Sequence, residues 1–393
     1  MKALEFARSF EALDEAYKRF KRFILAYSGG KDSTATAILL YKWVLTRRPE
    51  GLEVVILHND TLSEIPAMEA WAREFMREYS EKMSELGVKV ITEIAAPNPT
   101  DTFYWRVFVR GYPAPTFVFR WCVELLKIGP TKERLGKYRD YVLIVGSRDE
   151  ESAARSKSMR VRFGTCMAQG SCLGAYFTID NDIPKVAPIR FWSTEDVWAF
   201  LKAQKYFNVK PLIDLYLFNG NLNVRYGCWH CTLAKVQQGL YLSDEYLHAE
   251  ALRLIYRAVS DIPSLRVTKS SGYSKLGPLN AKGRAIIFRA IPVIEERIGK
   301  FFYGLDEAKM GKYTLRDIFY EMPEGQADEL IRMYDGTDRP VPIGSLRYRE
   351  KIGKDTVNSV IKRVEYLVNG DNPFRDKLLS IAEDLMSEIC DCQ

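Results

Sequence analysis

Two groups of residues in this sequence have the types and spacings that do chemistry. The first is Ser28-Gly29-Gly30-Lys31-Asp32-Ser33, directly after the apolar run Phe23 to Tyr27. Glycines without a Cβ let backbone amides approach an anion, a following helix N-terminus adds partial positive charge, and Lys31 adds a full one. Such a turn holds phosphate, although its spacing is not the G-x-x-x-x-G-K-[ST] pattern of other phosphate loops. The second group is thiol. Cys228 and Cys231 form a C-x-x-C around Trp229 and His230, and Cys166 and Cys172 form a C-x5-C flanked by Gly164, Gly170 and Gly174. Four thiols from two turns predict a single all-cysteine site, which suits a 4Fe–4S cluster or zinc, with unmetallated thiols as a third reading. The C-x5-C half fits a zinc knuckle less well than a cluster. Cys122 competes as the fourth ligand, and His230 reads as a neighbouring imidazole more than as a ligand. Cys390 and Cys392 lie at the terminus, where a frayed tail is the expectation.

These residues need a scaffold, and the hydrophobic pattern supplies one. Phe6, Phe10, Leu13, Tyr17 and Phe20 recur at helical spacing and predict an amphipathic helix leading into a strand at 23–27. A helix is predicted over Thr34 to Val44, a second strand over Glu53 to Leu57, a third over Val88 to Ala95 and a fourth over Tyr141 to Val145. Between the second and third, Pro66 opens a helix whose Met68, Trp71, Phe75, Tyr79 and Met83 form a core stripe. Strands alternating with helices predict an α/β fold with a doubly wound parallel sheet. Ligands of such sheets bind beyond the carboxyl ends of the strands, where His58-Asn59-Asp60-Thr61 and Gly146-Ser147-Arg148 fall. Arg155, Lys157, Arg160 and Arg162 follow Arg148, as a phosphate clamp or a solvated loop. Gly111-Tyr112-Pro113-Ala114-Pro115 predicts a turn, and Ser193 and Thr194 are candidate caps for a helix running to Leu201. Beyond Gly239 the pattern is mainly helical, with breaks at 270–272 and 340–344, and Arg347, Arg349, Lys351 and Lys354 form a basic cluster serving substrate or solubility.

The chain has 393 residues, 47% of them hydrophobic, enough for a large α/β domain and a smaller one. No apolar run reaches membrane-spanning length and the first twenty residues carry charges throughout, so a cytoplasmic, non-membrane protein is expected. In that setting seven cysteines read as ligands, nucleophiles or buried thiols more than as disulfides. A net charge of +6 does not by itself identify a nucleic-acid binder.

SGGKDS at 28–33, NDT at 59–61, RWCVELLKIGP at 120–130, GSRDEES at 146–152 and PIRFWSTEDVW at 188–198 together resemble the phosphoadenosine-phosphosulfate reductase branch of the PP-loop ATP pyrophosphatases. Within that branch, DTFYWRVFVRGYPAP and RYGCWHCTL make the chain most similar to DndC-like proteins of DNA phosphorothioation. The resemblance implies an adenine nucleotide alpha hydrolase-like fold over 1–215, with the C-x-x-C segment and a helical accessory region over 216–393. It also implies ATP with Mg²⁺ as activating reagent, an iron–sulfur cluster, a nucleic-acid acceptor (DNA before tRNA), a cysteine desulfurase as sulfur donor and other DNA-modification subunits as partners. Lys31, Asp32, Arg148 and Cys122 are the expected catalytic residues. Ser28, Gly29, Gly30, Lys31, Asp32, Ser33, Asp60, Thr61, Arg120 and Lys127 are expected to bind nucleotide and anionic substrate, and Cys166, Cys172, Cys228 and Cys231 to hold metal. Residues 217–226 lack the further cysteines of the DndC pattern, which moves the second ligand pair to Cys166 and Cys172. The tail EICDCQ lacks the E-C-G-x-H nucleophile of sulfonucleotide reductases, which argues against that reaction. Two rival functions share the same phosphate loop: transfer RNA thiolation, and a nucleotide-gated, non-catalytic subunit of a DNA-modification complex.

Overall fold

RFILAY and EVVILHN are continuous apolar runs without alternation, and such runs make strands covered on both faces. In chain order the principal elements are α1 (Ala3–Arg19), β1 (Arg22–Tyr27), α2 (Lys31–Arg47), β2 (Glu53–Asn59), α3 (Pro66–Glu85), β3 (Lys89–Ala95), α4 (Phe103–Phe108), β4 (Tyr141–Ile144), β5 (Phe177–Asp180), β6 (Ile183–Val186), α5 (Thr194–Ala203), α6 (Lys210–Leu217), α7 (Leu247–Asp261), β7 (Arg266–Thr268), β8 (Leu276–Leu279), α8 (Ala281–Ile298), α9 (Glu324–Asp335), α10 (Lys354–Leu367) and α11 (Arg375–Glu388). The computed structural model describes residues 3–151, 175–180, 182–217, 226–268, 276–336, 341–368 and 370–391. Cys166, Cys172, Cys392, the basic residues Arg155 to Arg162 and the expected break at 270–272 lie outside the described residues. No helix among the described residues is long and apolar enough to cross a membrane.

The chain divides into two compact units. One comprises Met1–Asn59, Ala67–Ala95 and Thr131–Arg225, the other Asp60–Pro66, Ala96–Pro130 and Tyr226–Gln393. Residues 60–66 and 96–130, which a linear division at 215 leaves with the N-terminal part, therefore pack with the C-terminal residues.

The first unit is mixed α/β. Its six-stranded sheet has the order β3-β2-β1-β4-β6-β5, parallel throughout except for the β5 edge, which runs antiparallel to β6. The order runs outward from β1 to β3 on one side and continues through β4 on the other, so the crevice of an open sheet falls between the carboxyl ends of β1 and β4. Ile24, Val55, Leu57, Ala95, Leu135 and Leu143 pack together as a buried core cluster. Phe23 stacks on Trp43 of α2, and Tyr27 on Phe75 of α3. The whole expected stripe of α3, Met68 to Met83, is buried.

Some boundaries differ from the sequence pattern. The helix after the first glycines starts at Lys31 rather than Thr34, because Gly30 is extended (φ −78°, ψ 165°) and KDS winds as the first turn. The third strand begins at Lys89 and the fourth ends at Ile144. Ser193 is the cap of α5: its Oγ accepts from the Asp196 amide at 3.0 Å, and the Asp196 carboxylate accepts from the Ser193 amide at 3.1 Å.

The second unit is mainly helical, with α7 packed against α8, α10 and α11. Phe108 of α4 meets Phe288 and Phe319 at ring distances of 5.0 and 5.3 Å. The basic cluster resolves into separate jobs. Arg347 donates to the carbonyls of Phe319 and Met322, which ties two segments together rather than facing substrate or solvent. The tail does not fray through Asp391, whose amide donates to the Ile352 carbonyl and whose carboxylate accepts from Arg289 and the Ile352 amide.

Replacing Ser193 by alanine removes one half of the α5 capping box. The expected cost is about 0.5–2 kcal/mol in unfolding free energy, measured by urea titration, with the fold retained.

Candidate functional site

The turn from β1 into α2 is built by steric and hydrogen-bond constraints. Gly29 has φ +73°, and a Cβ there would stand 2.8 Å from the Ala72 Cβ. The Trp71 indole donates to the Gly29 carbonyl at 2.9 Å, which holds the turn against α3. Ser33 Oγ accepts from the Ser28 amide at 3.2 Å and donates to the Gly30 carbonyl at 3.0 Å. Tyr216, placed by α6 and packed on Trp198 of α5, accepts from the Lys31 amide at 3.4 Å.

Charge is concentrated on this turn. One oxygen of Asp32 accepts from Arg148 Nε at 2.8 Å, and the other lies 3.5 Å from Lys31 Nζ. Lys31 and Arg148 are both buried, and a buried cation needs compensation. Two buried cations therefore share the Asp32 carboxylate beside the helix N-terminus, while the exposed Glu150 stands 3.3 Å from Arg148. Arg148 also donates to the Trp192 carbonyl at 3.0 Å and to Thr194 Oγ1 at 3.3 Å, so its guanidinium positions Asp32 and ties β4 to the start of α5. The Gly146 turn packs directly on Asp32 and Ser33. Below them, buried His58 bridges the Tyr27 carbonyl and Glu69, at 3.1 and 3.0 Å. Burial works to raise the Glu69 carboxyl, but the His58 hydrogen bond and the charges of His58 and Arg73 outweigh it and hold the group below its ordinary value.

The thiols gather in the second unit. Lys127, whose ammonium lies 3.9 Å from Glu64, interacts electrostatically with Cys228, Cys231 and Cys122. Thr61 Oγ1 donates to Glu64 at 2.9 Å and stands 3.3 Å from Cys228 Sγ. The Trp229 amide donates to the Ser63 carbonyl, Gln237 to the Cys228 carbonyl and Arg253 to the Cys231 carbonyl, so both ends of the C-x-x-C are fixed. Burial and the Glu64 charge push the Cys228 thiol up to about 12 against the opposing effect of Lys127. Burial and Cys231 push Cys122 up to about 11. His230 is buried, stacks on Phe103 at 4.3 Å and forms no hydrogen bond through either ring nitrogen among the described residues. Burial and Lys127 push it down to about 3, so it stays neutral.

The expected residues thus fall into separate sets. Ser28 to Ser33 and Arg148 come together in the first unit. Thr61, Lys127, Cys122, Cys228 and Cys231 come together in the second. Asp60, also in the second unit, accepts from the Leu62 amide and the Tyr303 hydroxyl, both at 2.8 Å. Exposed Arg120 lies over the Phe117 ring at 5.3 Å. Tyr216, Glu64, Tyr303 and Arg253 are contributors that the sequence pattern did not single out, and Trp71 stands in that pattern only as part of a core stripe. Apart from the Thr61–Glu64 pair, the partners named for them are distant in sequence, and no local motif marks them.

The model of the phosphoadenosine phosphosulfate reductase domain matches residues 22–234, more than half of the chain. The chain is also similar to two uncharacterized proteins of Methanocaldococcus jannaschii, MJ0066 and MJ0973. It is 28% identical to the first over 222 residues and 27% to the second over 221, 56% of this chain in each case. It spans less than half the length of these curated relatives, 38% and 44% respectively.

Two outcomes test the geometry of the first unit. Gly29→Ala meets both a left-handed backbone and the Ala72 side chain, and should cost about 1–3 kcal/mol in denaturant unfolding. Because Glu69 titrates lower folded than unfolded, its stabilisation is complete above the ordinary carboxyl range and is lost as pH falls through the folded value. Glu69→Gln should therefore lower the melting temperature at neutral pH and flatten its decline between about pH 5 and pH 3.

Proposed function

We propose, from the premise that the chain belongs to the phosphoadenosine phosphosulfate reductase domain family of the PP-loop superfamily, that it is an ATP pyrophosphatase activating a nucleic-acid oxygen for replacement by sulfur. The acceptor oxygen attacks the α-phosphorus of ATP, pyrophosphate leaves, and a sulfur nucleophile then displaces AMP. The observation that carries this reading is the β1–α2 turn: left-handed Gly29, a helix starting at Lys31, and two buried cations beside that N-terminus. Such a turn stabilises the charge that develops on leaving pyrophosphate, and Mg²⁺ arrives with ATP as part of the substrate.

The thiols of the second unit suit the sulfur half of the reaction. Lys127 places positive charge among Cys122, Cys228 and Cys231, which favours anionic sulfur on whichever of them receives it. Among the described residues no three His, Cys, Asp or Glu side chains form a group that could hold a metal ion. Two of the four expected ligands, Cys166 and Cys172, lie outside the described residues. DNA is favoured over tRNA as acceptor by the GYPAP and RWCVELLKI stretches, and a cysteine desulfurase in the cytoplasm with other DNA-modification subunits completes the scheme. A non-catalytic subunit would instead bind nucleotide without turnover.

Incubated with ATP, Mg²⁺ and DNA, the protein should release AMP and pyrophosphate. Lys31→Ala should cut that release at least about 100-fold without altering circular dichroism. Absence of pyrophosphate with DNA or tRNA, or a Lys31→Ala variant as active as the wild type, would defeat the catalytic reading.

A further inference from the structure

The second unit contains a cavity of about 900 Å³, apart from the residues assigned above. That is room for a nucleotide-sized ligand. One wall is the 110–119 segment, another is Thr232 and Leu233, and α7 and the β7–β8 hairpin supply the rest.

The 110–119 segment is rigidly presented. Gly111 has φ +68°, and a Cβ there would come within 2.6 Å of both Arg284 and the Leu279 carbonyl. The Ala114 amide donates to Ser260 Oγ at 2.8 Å, and Thr232 Oγ1 donates to the Pro115 carbonyl at 2.7 Å. Thr116 and Phe119 close a turn on each other, with two hydrogen bonds of 3.1 Å. Its tip carries Phe117 and Val118, 72% and 98% exposed. Holding a phenyl ring in water on an anchored turn gives no folding benefit, and it offers a face for stacking.

The charge of the cavity is equally uneven. Arg110 is paired with Asp335, and Asp261 with Arg363. Arg266 gives its hydrogen bonds to the neutral carbonyls of Gly277 and Ser260. Arg257, half-buried in the wall, has no hydrogen bond or ion pair among the described residues. An aromatic lip above guanidinium groups without full compensation fits a ligand that is part planar ring and part phosphate.

We propose that this cavity binds one nucleotide of a single-stranded nucleic acid, its base against the Phe117–Phe119 turn and its phosphate on Arg257 and Arg266. A strand suits the site better than a free nucleotide because the aromatic tip and Arg120, stacked on Phe117, extend into solvent where neighbouring nucleotides would run. A duplex keeps its bases stacked on each other and cannot use the tip. Thr232 directly follows Cys231, so the wall of the cavity continues into the thiol turn. The proposal rests on the reading above only in taking nucleic acid as the acceptor.

Fluorescence anisotropy of the full chain with a fluorescein-labelled twelve-nucleotide oligothymidylate, without ATP and over a salt series, tests it. Arg257→Ala should weaken binding about tenfold or more and reduce the salt slope by roughly 0.7, the value of one phosphate contact on a single strand. Phe117→Ser, at an exposed tip where folding is not at stake, should weaken binding at least about fivefold with the slope unchanged. A 5-iodouracil probe should crosslink to the peptide containing 112–119. Wild-type affinity in both variants would overturn the proposal. So would thymidine monophosphate competing as well as the oligomer, which would mark a free-nucleotide pocket. Lys31→Ala should bind the oligomer normally; a wild-type protein that binds the strand but releases no pyrophosphate, or a Lys31→Ala variant that releases it undiminished, defeats the adenylation reading alone. Pyrophosphate release with strand binding indifferent to Arg257 and Phe117 defeats this one alone.

Discussion

One carboxylate governs the chemistry of the first unit. Asp32 sits in the first turn of α2 and divides its oxygens between Lys31 and Arg148. Without it, two buried cations would repel each other; with it, they form a rigid, cation-rich corner. The tie to Arg148 also joins the carboxyl ends of β1 and β4, because Arg148 reaches on to the Trp192 carbonyl and Thr194. The crevice of the sheet is thus closed by charge on one side and by Gly29 packing on Ala72 on the other. A phosphate entering there meets groups already oriented, which is the condition for electrostatic stabilisation without reorganisation.

The thiol group in the second unit has the opposite character. Burial holds Cys122 and Cys228 at high pKa, and Lys127 is among the groups that oppose that effect. Glu64 and Thr61 bind the same corner, so the NDT segment touches a cysteine through Thr61.

Local signals were legible in the sequence. The unbroken apolar runs of β1 and β2, the stripe on α3 and the Ser193 cap depend on neighbours within a few residues, and their physics is contained in short windows. The phosphate turn was legible for the same reason. What a window cannot show is who pairs with whom. Arg148 stands out in the sequence by its place after β4, but its carboxylate partner Asp32 is 116 residues away. Tyr303 on Asp60, Arg253 on the Cys231 carbonyl and Tyr216 on the Lys31 amide were invisible on the same ground. Arg347 looked like surface charge in a basic run, yet its planar fork is occupied by backbone carbonyls. The β7–β8 hairpin was missed because its strands are three and four residues long inside a helical region.

The interleaving of the two units has a consequence for how the chain is made. The polypeptide passes from one unit to the other at 59/60, 66/67, 95/96, 130/131 and 225/226. During synthesis, α4 with its buried aromatic rings emerges more than a hundred residues before Tyr226, where the rest of its own unit begins. For that interval Phe103, Trp105 and Phe108 have no native partner from the C-terminal helices, and the loop that separates them must be closed late. Translation speed and chaperone access over residues 110–226 therefore bear on the yield of folded protein as directly as any side chain in either site.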